Sequence, residues 1–462
     1  MNPEFERNLW LELTPRRQVG LALTLGLIIG AAWMAAHEER RALMVALCGA
    51  GFSIYAACGL IWTSRAAGGA VLDEIRGRTW EFQRLSALTP WAMTWGKLAG
   101  AGSLAWIGAV TGLAVGGLAL AQLGPASPAA ILVLGLVALT LFLQGCAMGA
   151  ALVGVRKARA EGRLATGGAV LLGVVGGLIL LGLLSHRLPA AGRGWTGGAL
   201  DLLDWRPTSF WGRTWPEPAF AAVSLWLFAG WAVVSAWRLM RLELQMRNSP
   251  WVWLAFLLFA GVWRAGLVDP LEGALGRALA AGAVFAALTY AAAFVEPADP
   301  VRLRRFWAEL HAGHLGPAAH LAPAALFALA LAALSALAAL VLPPTSFGQP
   351  PPPAEILAVL VFLVRDLGVI ACLRLGPLPS RGDLSAVIAL VLLYGVGAVV
   401  DHTVGQSLGV ALFSPLAAYA PLSLMISGVV QAAAAWVLAG QRLAAHPALP
   451  AQPGRIGGQD PA

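Results

Sequence analysis

The stretch DEIRGRTWEFQRLSALTPWAMTWGK, from Asp73 to Lys97, lies between two apolar runs that are each long enough to span a bilayer. In its first half Ile75, Phe82 and Leu85 share one side of a helix, while Arg76 and Gln83 share another. That is the pattern of a weakly amphipathic helix lying along a membrane surface. Thr89 and Pro90 end it: a proline disfavours helix in the residue before it but suits the first helical position, so Thr89 is the expected N-cap of the next helix. Trp91, Trp95 and Lys97 are then expected at the headgroup level as anchors. A charged surface loop entered and left by bilayer-length apolar runs points to an all-α polytopic membrane protein.

Composition agrees. Apolar residues make up 59% of the 462-residue chain and charged ones 12%, more apolar surface than a water-soluble fold of this size can bury. Cys48, Cys58, Cys146 and Cys372 all fall inside apolar runs without paired spacing, so neither a disulfide framework nor a zinc site is expected. The net charge of +8 comes from residues scattered over loops and not gathered on one element, which argues against nucleic acid as a partner.

About twelve spans are expected: Val19–Ala36, Ala42–Thr63, Leu98–Leu120, Ala129–Val155, Ala165–Leu184, Ala219–Leu239, Trp251–Val268, Ala278–Val295, Ala324–Val341, Ile356–Leu373, Leu384–Val400 and Pro415–Leu438. Placing both termini in the cytoplasm puts 22 of the 31 basic residues inside and 8 outside, with Arg365 within a span, and the positive-inside rule selects this topology. Residues 1–18 form an interfacial elbow: Asn2-Pro3-Glu4 is a helix start, and Phe5, Leu9 and Leu13 make one apolar stripe. Acidic residues ahead of the first apolar run speak against a cleavable signal peptide. Outside the membrane, Ser185 to Pro218 carries Trp195, Trp205, Trp211 and Trp215 and reads either as interfacial or re-entrant helix or as a tryptophan-anchored loop.

The pattern then starts again. Asn248-Ser249-Pro250 precedes a new apolar run, and a second cytoplasmic loop follows at 296–320. Setting Trp307 against Trp80 also pairs Arg305 with Arg78, Leu315 with Leu88 and Pro317 with Pro90. Two parallel six-helix halves are expected, 19–245 and 246–445, with 446–462 as a disordered tail.

The order Glu74, Arg76, Thr79-Trp80-Glu81, Thr89-Pro90 and Gly96-Lys97 resembles the cytoplasmic loop of ABC type-2 permeases, the membrane subunits of exporters driven by a separate ATPase. In that family an acidic and basic pair precedes Gly-Thr-aliphatic-Glu, a leucine-rich turn, Thr-Pro, and Gly-Lys at the start of the third span. Here Arg78 stands in the place of the glycine and Trp80 in that of the aliphatic residue. The resemblance implies that Asp73 to Lys97 is a coupling helix docking on an ABC ATPase, with Glu74, Arg76, Thr79, Trp80, Glu81, Arg84, Thr89 and Pro90 as coupling residues. It also implies that ATP and Mg²⁺ are held by the partner chain, that the chain sits in a bacterial inner membrane, and that one chain or two complete the export path.

The residues bear on that reading in their own way. The chain has no Gly-x4-Gly-Lys-Ser/Thr phosphate loop, and Gly96-Lys97 is followed by Leu98. It has no nucleophile elbow and no His-Glu-x-x-His motif, so no catalytic residues are assigned. His311, His314 and His320 lie in a glycine-bearing loop without acidic or cysteine partners, and no metal site is assigned. Arg365 and Asp366, near the middle of the tenth expected span, are costly there unless satisfied. They read as a substrate-path or gating contact or as a buried interhelical pair, each with a partner on another helix. Two rival readings follow from the same residues. An ion- or proton-coupled secondary transporter would rest on Asp366, and a membrane-embedded enzyme acting on lipid-linked substrates would need a polar cluster at one interface.

Overall fold

The computed structural model describes residues 2–86, 88–124, 126–161, 207–343, 351–376, 379–413, 415 and 420–446. Within them the chain is an all-α polytopic membrane protein: ten helices are long and apolar enough to cross a membrane, and Trp251–Gly266 is a shorter apolar helix. The fifth expected span, Ala165–Leu184, lies outside the described residues. The chain folds as two compact units, which separate between Asn248 and Ser249.

The first unit begins with α1, Pro3–Glu12. Asn2 caps it, its side chain accepting from Glu4 N at 3.1 Å. Next come α2, Pro15–Ala36, and α3, Arg40–Arg76, a long helix that runs past the expected span end at Thr63 and carries Asp73, Glu74 and Arg76 on its last turn. Seven residues of α3, Ala56–Trp62, are wound as π-helix. A short helix α4, Trp80–Arg84, leads to α5, Pro90–Gly100, where Thr89 is the N-cap and accepts from Ala92 N at 3.2 Å. After a break at Ala101–Gly102 come α6, Ser103–Leu123, α7, Ala126–Glu161, and α8, Glu217–Glu243.

Glycines decide how closely α3 and α6 approach. A Cβ on Gly51 would stand 2.3 Å from Gly116 N, and one on Gly112 would stand 2.7 Å from Gly51 O, so only bare backbone fits the crossing. Its main apolar layers are two. One, on the loop side, joins Val71, Trp80, Met93, Leu98, Met148, Leu152 and Met240; the other joins Leu25, Ile54, Tyr55, Leu104, Ala109 and Leu113, and a smaller cluster joins Cys48, Ala119, Leu120 and Ala129.

Part of the segment read as helix or tryptophan-anchored loop is instead a β-hairpin. Thr208–Phe210 pairs antiparallel with Arg213–Trp215, Phe210 opposite Arg213. Its turn, Trp211-Gly212, has φ of 51° and 75°, the two left-handed positions that a two-residue hairpin loop requires.

The second unit contains α9, Trp251–Gly266; α10, Gly273–Val295; α11, Pro300–His311; α12, Leu315–Leu321; α13, Ala324–Val341; α14, Pro353–Arg374; α15, Pro379–Val400, prolonged by a π turn at Asp401–Gly405; and α16, Pro421–Ala445. The last span therefore starts at Pro421 and not at Pro415, because Pro421 takes the first helical turn. Just before it, Leu412 N and Phe413 N each donate at 2.8 Å to the buried carboxylate of Asp401.

The two loops share a local turn at different distances from their tryptophans. Arg78 has φ 55° and closes α3, with Thr79 N donating to Glu74 O at 3.0 Å. Gly313, φ 76°, closes α11 in the same way, with His314 N donating to Glu309 O at 3.0 Å. Trp80 thus follows its left-handed turn while Trp307 precedes its own, and Gly313 holds the place that the sequence pairing gave to Arg305. Arg78 holds a left-handed position that glycine adopts freely, so it bears some backbone strain.

Candidate functional site: an anchored loop

The loop from Asp73 to Lys97 is held from beneath by α1. Gly96 and Gly100, one turn apart on α5, face that helix. A Cβ on Gly96 would come within 2.7 Å of Glu4 Cβ, and one on Gly100 within 2.8 Å of Asn8 Cβ. The two helices therefore touch along bare backbone, and Lys97 is enclosed between them.

Lys97 is fully buried, which corrects its reading as a headgroup anchor. Its ammonium donates to Glu4 Oε1 at 2.6 Å and to Glu74 Oε2 at 2.5 Å. Arg7 bridges the same two carboxylates, 3.0 Å from Glu4 and in contact with Glu74. Gln83 Nε2 donates to Glu74 Oε1 at 2.5 Å, Asn8 Nδ2 to Glu4 Oε1 at 3.1 Å, and Asn2 Nδ2 to Ala92 O at 2.6 Å. Two cations and two anions, cross-linked by amides, tie α1, the end of α3, α4 and α5 into one body. Paired charges of this kind are tolerated away from water only when each is hydrogen-bonded as these are.

The expected coupling residues divide into two sets. Glu74 and Trp80 face inward: Glu74 serves the ion cluster, and Trp80 is buried with its ring 5.9 Å from Lys97 Nζ. Thr79 bonds locally through Oγ1 to Glu74 O at 3.2 Å, and Thr89 and Pro90 start α5. Arg76 and Glu81 face outward, and beside them the apolar Phe82 and Leu85 stand at 77% and 86% exposure. Arg84 pairs with Glu81 at 3.0 Å on this outer side. Beside it, Trp91 and Trp95 stack at 6.4 Å, and Trp237 meets Trp91 edge-on at 6.3 Å with the Arg241 guanidinium over its ring.

In the second unit Arg365 and Asp366 are both buried on α14. Adjacent positions on a helix do not face each other, yet these two side chains meet. Arg365 Nε donates to Asp366 Oδ1 at 2.8 Å, because the long arginine side chain can fold back where a shorter one could not. Asp366 Oδ2 accepts from Tyr290 at 2.5 Å and from Tyr394 at 2.6 Å, and Arg365 Nη1 donates to Gln431 at 3.0 Å. Partners on other helices exist as well, on α10, α15 and α16, and Phe362 and Tyr394 flank the guanidinium.

Sequence reasoning missed Glu4, Arg7 and Asn8 as members of the first cluster. Their acidic, basic and amide pattern on one face of α1, at spacings of three and four residues, was the available signal. The histidines of the second loop turn to local partners: His311 Nδ1 lies 2.7 Å from Trp307 O, and His314 Nδ1 lies 2.8 Å from Glu309.

Compared with known proteins, the chain matches no family model, and no characterised protein or solved structure shows significant similarity to it.

Proposed function

We propose that the chain is the membrane subunit of an ATP-driven exporter of the ABC type-2 class, and that Asp73 to Lys97 is its dock for a separate ATPase subunit. The observation that carries the reading is the pairing of a rigid base with an exposed crest. Lys97, Glu4 and Glu74 fix the loop to α1, while Phe82, Leu85, Arg76 and Glu81 project from it. A loop that only connected two spans would need neither feature. Force applied to the crest passes through the ion cluster into α3 and α5, and so into the apolar helices they continue. In this reading the loop and both termini face the cytoplasm of a bacterium, and ATP and Mg²⁺ reside in the partner. The path through the bilayer comes from the helical units of one chain or of two.

The carrier alternative rests on Asp366. An ion-coupling carboxylate needs access to water at some stage, whereas this one is held by Arg365, Tyr290 and Tyr394 in a fully buried position. The arrangement favours a lock between helices.

The test is purification of the tagged chain from its native membrane in mild detergent, with identification of bound chains. A stoichiometric nucleotide-hydrolysing subunit is expected; its absence, with no ATP-dependent activity in the preparation, would remove the reading.

A further inference from the structure

Two irregular features of the first unit meet at one buried glutamine. The π-wound part of α3, Ala56–Trp62, ends at Thr63; the break between α5 and α6 falls at Ala101–Gly102; and Gln144 lies on α7. They are neighbours: a Cβ on Gly102 would stand 3.5 Å from Gln144 Nε2 and 3.6 Å from Thr63 Cα. Gln144 is 1% exposed, yet its Nε2 finds no hydrogen-bond partner, and the buried hydroxyls of Ser64 and Ser103 find none either. Each of the two serines adjoins one of the helix irregularities.

Orphan donors are costly in an apolar setting, and three of them on neighbouring stretches of three helices call for an occupant that can both accept and donate. The occupant of matching chemistry is water, which needs two to four polar partners. This polar level also separates the two apolar layers. Met148 and Leu152 pack on the loop side of it, and Tyr55, Leu104 and Ala109 on the other. π-wound turns and breaks with inserted water are the recognised places where helices bend, whereas α7 passes through the level without interruption.

We propose that Ser64, Ser103 and Gln144 enclose an ordered water, and that this wet level is a hinge at which the loop-bearing half of the unit shifts against the other half. It stands on the packing of the unit alone and not on the identity of any partner. α7 serves as the axle, and the irregular turns of α3 and the α5–α6 break absorb the change.

Amide exchange inside a membrane requires both water and local opening, so hydrogen–deuterium exchange of the full chain in lipid nanodiscs reads the hinge directly. Peptides covering 56–64 and 100–104 are expected to exchange roughly tenfold faster than the flanking turns. Gln144→Leu, which removes the orphan donor and fills its space with methyl groups, is expected to slow both peptides to the rate of their flanks. Ser103→Ala is the second variant, expected to slow exchange in the same direction and sparing the fold should the leucine fail to pack. Peptides as protected as their flanks in the wild type, or fast exchange persisting in the variants, would overturn the proposal. The assay contains no ATPase, so its outcome is independent of the docking test.

Discussion

Each unit buries an ion cluster, and the two are built differently. In the first, Lys97 joins carboxylates from α1 and α3, residues far apart in sequence, and Arg7 keeps the cluster in touch with the surface at 43% exposure. In the second, the ion pair lies between neighbours on one helix, and tyrosines and a glutamine from other helices close around it. The first arrangement fixes the position of an exposed loop and the second fixes the packing of spans.

The contrast is sharpest where a cation is removed. Lys97→Met leaves Glu4 and Glu74 with Arg7 as their remaining cation, and the cost expected for breaking such a buried set is about 3–5 kcal/mol. Denaturant titration in mixed micelles should show that loss, and limited proteolysis should show α1 released from α5. A cost near that of an exposed pair, below about 1 kcal/mol, would break the comparison.

In the second unit Tyr290→Phe removes one donor while Asp366 keeps Arg365 and Tyr394. The expected loss is about 1.5–3 kcal/mol, typical of a hydrogen bond to a charged group, with no change in the protease sensitivity of the Asp73–Lys97 loop. A change confined to that loop would show that the clusters are not separate devices.

Local rules were legible in the sequence and distant ones were not. The caps at Asn2-Pro3 and Thr89-Pro90 form as expected because capping depends on residues two or three positions apart. Lys97 was misread because its partners lie 93 and 23 positions away, and nothing next to it in sequence distinguishes an anchor from a buried pair. The apolar spans were readable from length and hydropathy. Their ends shifted wherever a helix ran on, as at Arg76, or where a proline set the first turn, as at Pro421. The two loops place their left-handed turns differently about their tryptophans, before Trp80 at Arg78 and after Trp307 at Gly313, a backbone property that the side-chain matches at Trp307 and Pro317 do not report. Of the coupling residues, sequence named the stretch but could not say which side chains face inward: Trp80 and Glu74 hold the loop, and Glu81 and Phe82 present it.

The smallest structural perturbation tests the central claim most directly. Glu81 is 68% exposed on the outer side of the loop, where it pairs with Arg84, which is 20% exposed and lies within electrostatic reach of the buried Glu243. Reversing Glu81 alone, Glu81→Arg, inverts the charge that a partner would meet and leaves Arg84 in place. The cost to stability should stay below about 1 kcal/mol, as for an exposed pair. In the complex purified from native membranes, the Glu81→Arg variant is expected to lose the ATPase subunit and ATP-dependent transport, with the membrane chain itself intact. A Glu81→Arg variant that retains the ATPase in full and transports at the wild-type rate would contradict the assignment of Asp73 to Lys97 as the dock.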